Sequence, residues 1–148
     1  MADRRPTARQ REIIRTRAGE CREYCRSKER FATQAFSIEH IVPRAAGGQT
    51  IIDNLALACQ GCNNHKHTRI DAIDTETGDV TPLFHLRRQQ WIDHFAWDSS
   101  TTRIIGLTPT GRATVVALSL NRSGPINLRR VLHALGKHPP EDHAGAMV

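Results

Sequence analysis

Two close cysteine pairs, Cys21-x3-Cys25 and Cys59-x2-Cys62, constrain this chain more than any other feature. Four thiolates about 2.3 Å from Zn²⁺ make a closed tetrahedral site, and two knuckles are the usual way one chain supplies them. Such a site would staple the N-terminal segment to the root of a helix starting near Cys62. With four protein ligands it has no open position, so its predicted role is structural. The second pair has the common knuckle spacing; the first is one residue longer. The competing reading is two unrelated pairs of free thiols. Composition favours the metal, because 148 residues with 39% hydrophobic and 5% aromatic content support one domain with a modest core. No apolar run approaches the roughly 18–20 residues that span a bilayer. The N-terminus lacks the apolar core of a secretory signal. The expected localisation is cytoplasmic, where thiols stay reduced and metal ligation is favoured over disulfides.

Between the pairs the chain reads strand, loop, strand, helix. Residues 36–42 alternate as a strand, and 43–53, with Gly47-Gly48, form a loop. Leu55 to Ala58 suit the returning strand of a hairpin, and Cys62 to Arg69 look helical. Upstream, Thr7 can cap a helix from Ala8 to Ala18 with Gly19 as its stop. Arginines 4, 5, 9, 11, 15 and 17 spread around that helix. They are either a solvated face or a phosphate-contacting arm. Downstream, 74–79 are a turn, 86–95 and 110–120 helices, 103–107 a strand, and 126–135 a last helix stopped by Gly136. The organisation expected is an N-terminal helix and core over 1–70, an extension packed on it over 71–136, and a disordered tail over 137–148.

Glu39 and His40 close the first strand. Neighbours in a strand point to opposite faces, so the two aim alike only if the strand ends or bends there, and Pro43 makes an ending plausible. A carboxylate can then hold a metal while the imidazole, a natural base near neutral pH, faces water. Asn63 opens the following helix, where its side-chain oxygen can complete the ligand set. Hard oxygen donors of this kind suit Mg²⁺ or Mn²⁺. Asn54, at the end of the loop, can hydrogen-bond the His40 ring or the backbone around it. Singly, each residue has a duller explanation: a surface pair, a turn, a helix cap. Their joint order, interleaved with the knuckle, favours the site.

That order resembles the HNH endonucleases of the ββα-metal superfamily. The segments that carry the resemblance are Glu39-His40-Ile41-Val42-Pro43, Gly47-Gly48, Asp53-Asn54-Leu55 and Cys59-x2-Cys62-Asn63 with Lys66. The C-terminal segments around Pro82-Leu83-Phe84, Gln90-Trp91, His94-Phe95, Gly106 to Pro109, Gly111 to Thr114 and Asn121-Arg122 are similar to small stand-alone members. The resemblance implies an α+β fold with a ββα-metal (HNH) core and a zinc site of four cysteines. It implies His40 as general base, Glu39 and Asn63 as ligands of the catalytic ion, and Asn54 as the residue that positions the histidine or the loop. Lys66 and Arg44 become candidates for phosphate contacts. His67, four residues after Asn63 and so on the same helical face, is either an exposed polar residue, the reading favoured, or an added ligand. One departure stands out: Arg22 occupies the place where the family has the first cysteine, and Cys21 precedes it.

Net charge of +6 favours a polyanionic partner. The function expected is metal-dependent hydrolysis of DNA phosphodiesters, on double- or single-stranded substrate and without a membrane partner. The alternative is a zinc-stapled nucleic-acid-binding module without catalysis, which has no use for Glu39, His40 and Asn63 together. Sequence specificity and oligomeric state have no signal in the chain.

Overall fold

The computed structural model describes residues 5–18, 21–26 and 36–140. The chain divides into two compact units, Met1–Thr68 and Arg69–Val148.

In the first unit, helix α1 (Ala8–Ala18) opens on a reciprocal cap. The Thr7 hydroxyl accepts from the Gln10 N–H at 3.1 Å, and the Gln10 amide oxygen accepts from the Thr7 N–H at 2.8 Å. Ile14 is its one fully buried residue, packed with Leu55 and Leu57 and flanked by Ala18, Ile38 and Ile52. The Arg17 guanidinium donates to the carbonyls of Ile52 and Leu55 at 3.0 and 2.7 Å, fixing the helix along the segment before the second strand. The expected stop at Gly19 lies outside the described residues.

Strands β1 (Phe36–His40) and β2 (Leu55–Cys59) pair antiparallel, from Phe36 opposite Cys59 to His40 opposite Leu55. Every β2 residue is buried, as in a strand covered on both faces. Period-two alternation puts Ile38, His40, Leu55 and Leu57 on the face that meets α1. Ser37, Glu39, Ala56 and Ala58 face the other way, toward α2 (Gln60–Lys66), whose Asn63 amide donates to the Ser37 hydroxyl at 3.3 Å. The order strand, loop, strand, helix is the one expected.

Among the described residues the second unit holds two short hairpins and three helices. Strands β3 (Asp71–Ile73) and β4 (Val80–Pro82) flank the expected turn, where the Asp74 carboxylate accepts from Thr77 Oγ1 at 2.8 Å and the Glu76 N–H at 3.3 Å. Then come α3 (Trp91–His94), β5 (Phe95–Trp97), β6 (Ile104–Gly106), α4 (Pro109–Ala117) and α5 (Ser123–Ala134). The rings of Trp91, Phe95 and Trp97 form the core. Arg129 is buried among them, donating to the carbonyls of Thr102 and Leu120 at 2.9 and 2.8 Å.

Two expectations change here. The helix expected over 86–95 shrinks to Trp91–His94. The His85 N–H is taken by the Gln89 side chain at 2.8 Å and the Arg87 N–H by the His85 ring at 3.2 Å, side-chain bonds that compete with a helix. Residues 137–140, expected to open the tail, are packed instead. The His138 ring stacks edge-on against Trp97 at 4.5 Å and hydrogen-bonds the Thr101 carbonyl at 2.7 Å. The rest of the tail, 141–148, lies outside the described residues. Among the described residues no helix is long and apolar enough to cross a membrane.

Candidate active site and metal centre

The knuckles are brought together by β2. Glu23 pairs with Leu57 through both backbone and side chain: its N–H donates to the Leu57 carbonyl at 2.8 Å, and its carboxylate accepts from the Leu57 N–H at 2.6 Å. That staple carries Cys25 to the end of β2, where the Cys25 and Cys59 sulfurs lie 3.9 Å apart. Cys25, Cys59 and Cys62 are buried with their sulfurs all within 4.8 Å of one another. The Cys59 sulfur also caps α2 by accepting from the Cys62 N–H at 3.2 Å. Contact with the other two sulfurs, then burial, pushes the Cys62 thiol well up. A thiophilic cation reverses that balance, and three converging soft donors fit zinc. Cys21, expected as the fourth ligand, is half-buried and is not one of these three converging sulfurs; Arg22, which follows it, is buried.

Glu39 is 3% exposed and leaves β1 on the α2 face. Neither carboxylate oxygen has a hydrogen bond. The Lys66 ammonium stands 3.7 Å from Oε2, and the Tyr24 hydroxyl approaches without hydrogen-bond geometry. Burial raises the carboxyl to about 7, opposed by the charge of Lys66 and by Tyr24. Asn63 lies over the same face, its Nδ2 on Ser37, which leaves Oδ1 for a cation. Two hard oxygens on one face, one of them a buried carboxylate with no hydrogen bond, are donors of the kind that could hold a divalent ion.

His40 is the last residue of the β1 ladder and lies on the opposite face from Glu39. The strand does not bend between them; the chain turns after His40. Lys66 fixes that turn by donating to the carbonyls of Ile41 and His40 at 2.8 and 3.3 Å. The ring Nε2 meets the Thr50 hydroxyl at 2.9 Å. Partial burial, helped by the Lys66 charge, lowers the His40 pKa and so favours the neutral ring, the form that can accept a proton.

Asn54 holds the loop and not the ring. Its Oδ1 accepts from the Val42 N–H at 2.8 Å, and its Nδ2 donates to the carbonyls of Val42 and Gln49 at 3.0 and 2.9 Å. The glycine pair serves the same closure. Gly47 has φ +91°, and a Cβ on Gly48 would sit 1.7 Å from the Val42 carbonyl oxygen.

Two expected residues stand elsewhere than the sequence placed them. Lys66, a candidate phosphate contact, is 2% exposed and committed to the interior bonds above. His67, a candidate ligand, is past the end of α2 at φ +49°, so helical spacing no longer places it over Asn63. Arg44 is exposed on the loop after His40. Thr50 and Tyr24 were not anticipated. Neither has a sequence signal, since Thr50 meets His40 only through loop closure and Tyr24 reaches Glu39 only through the Glu23–Leu57 staple.

Residues 21–69 match the family model of the HNH endonucleases. This segment is an HNH domain. The family implies the ββα-metal fold, here β1, β2 and α2, and its members are generally nucleases that use a divalent metal and act on nucleic acid. No curated protein and no solved structure matches the chain.

Proposed function

We propose that this HNH domain hydrolyses DNA phosphodiester bonds, with His40 as general base and one Mg²⁺ or Mn²⁺ ion held by Glu39 and Asn63. The observation that carries the reading is a buried Glu39 carboxylate with no hydrogen bond on the β1 face that Asn63 covers, next in the strand to His40. His40 takes the proton of the attacking water at its free ring nitrogen, while Thr50 fixes the ring through the other. Asn54 and Gly48 hold the loop that carries Thr50. When bound, the divalent ion supplies charge stabilisation for the scissile phosphate and the departing oxygen. Zinc on Cys25, Cys59 and Cys62 is structural, fixing the start of α2 and with it Asn63.

The test is divalent-dependent cleavage of supercoiled plasmid. His40→Ala is expected to lose about 10²- to 10⁴-fold in rate with zinc content and DNA binding retained. Undiminished Mg²⁺-dependent nicking by that variant removes His40 from the mechanism. One observation favours a second reading, a zinc-stapled binding module without catalysis: Lys66 already stands 3.7 Å from Glu39 and balances its charge without a cation. Plasmid left intact by wild type, with and without EDTA, selects that module.

A further inference from the structure

We infer that α1 is a clamp for the nucleic-acid backbone, set on the same face of the hairpin as His40. The inference takes its ligand class from the nuclease reading but does not need cleavage. Residues 5–18 hold five arginines (5, 9, 11, 15 and 17) against one acid, Glu12, a net charge of +4 out of the chain's +6. Most of the net charge therefore sits on α1 and the three residues before it. A helix made soluble by random surface charge does not need that concentration.

Placement gives the concentration a direction. Ile14 and Ala18 seat α1 against Ile38, Leu55 and Leu57, the face of β1 and β2 on which His40 lies. The helix is also tied to the loop that orients the catalytic ring. The Gln10 amide donates to the Thr50 carbonyl at 3.3 Å, and the hydroxyl of the same Thr50 meets His40 Nε2 at 2.9 Å. Three residues therefore link the start of α1 to the imidazole. With Gln10, Ile14 and Ala18 turned inward, Arg5, Arg9 and Arg11 are exposed at the N-terminal end, the end beside Thr50. Arg9 shares a groove on the helix flank with Glu12, Ile13, Thr16 and Arg17, where two guanidinium groups outnumber the one carboxylate. At 1.5 Å per residue α1 is about 16 Å long, the axial span of about five base pairs at 3.4 Å each. That length matches a run of phosphates and exceeds what a single small anion would need. The reciprocal Thr7–Gln10 cap fixes the helix start, so the arginines are presented without first ordering the segment.

The experiment measures binding of a fluorescent duplex DNA by anisotropy across a salt series, in the His40→Ala background without divalent ion. The variants are R5Q/R9Q/R11Q, the conservative R5K/R9K/R11K, and R88Q/R103Q/R130Q, which removes three exposed arginines of the second unit. Each lost phosphate contact flattens the slope of log K against log salt by about 0.9. The helix glutamine variant is expected to lose about two to three slope units and to bind at least tenfold more weakly at 0.1 M salt. The lysine variant and the second-unit variant are expected to keep the wild-type slope within about one unit. Single-stranded DNA and duplex RNA run in parallel identify which backbone the clamp prefers. An unchanged slope in the helix glutamine variant overturns the inference, as does an equal loss in the second-unit variant. Slope loss in the helix glutamine variant, together with a wild-type protein that never cleaves plasmid, leaves the clamp standing and removes only the nuclease reading.

Discussion

Asn54 is the residue whose replacement most directly tests how the site is held. Its side chain is buried and makes three hydrogen bonds, one from the Val42 N–H and two to the carbonyls of Val42 and Gln49. Asn54→Ala deletes all three and strands an N–H and two carbonyl groups beside the hairpin. At about 1 kcal/mol net per bond, the loss is about 3 kcal/mol, a large share of an ordinary domain's stability. Asn54→Asp separates geometry from chemistry. It keeps the acceptor for Val42 but sets a carboxylate oxygen, in place of the amide donor, against two carbonyl oxygens 3.0 and 2.9 Å away. At pH 7 the aspartate variant is therefore expected to be at least as unstable as the alanine variant. The two carbonyls disfavour the anion and hold the folded carboxyl above the ordinary aspartate value, so as pH falls toward about 4 it protonates, regains one donor, and the deficit narrows, whereas the alanine deficit stays flat. The assay is urea unfolding of the zinc-loaded protein at pH 7 and pH 4, with the denaturant slope confirming an unchanged transition. An alanine variant within 1 kcal/mol of wild type, or an aspartate variant as stable as wild type at pH 7, would refute the reasoning.

Four further outcomes are expected. Thr50→Val removes the hydroxyl on His40 and should slow cleavage about tenfold to a hundredfold at unchanged unfolding free energy, since the loss is one of alignment. Cys59→Ser, or zinc chelation, removes a soft donor and the α2 cap together; circular dichroism should show the first unit unfolding, and retained structure in the chelated protein would contradict a structural zinc. Arg129→Met strands the buried carbonyls of Thr102 and Leu120, and calorimetry should show a loss of about 2 kcal/mol or more. The Asp74 carboxyl is held well below the usual carboxylate range, first by its paired bonds to Arg112 at 2.8 and 2.9 Å. Its folded pKa being the lower one, that stabilisation is present above the ordinary aspartate range and is lost as pH falls through the depressed value. An Arg112→Met protein should therefore lose less stability than wild type on acidification below pH 4, by fluorescence-monitored unfolding.

Much of the site was legible because its parts are local. The Thr7–Gln10 cap, the Gly47-Gly48 turn, the strand alternation and the Cys59-x2-Cys62 knuckle each span a few residues, so their chemistry can be read from spacing alone. The α1 range and the hairpin order follow from the same short patterns. What spacing could not supply was which groups meet across the fold. Lys66 reads as a surface cation, yet its ammonium finds two carbonyls and a carboxylate inside. His67 reads as a helical neighbour of Asn63, yet the helix ends one residue before it.

The sequence by itself determined the donor inventory: soft sulfur at the knuckles, hard oxygen and an imidazole between them, and a cluster of guanidinium groups upstream. Those are properties of side chains, and they hold in any fold. Tertiary structure decided how the donors are shared out. Antiparallel pairing sends Glu39 and His40 to opposite faces, α1 covers the His40 face, and the Glu23–Leu57 staple carries Cys25 to the sulfurs of Cys59 and Cys62. The physical reason is that strand register and loop closure depend on contacts between residues far apart in the chain, so which side chains share a face appears only once the hairpin has formed.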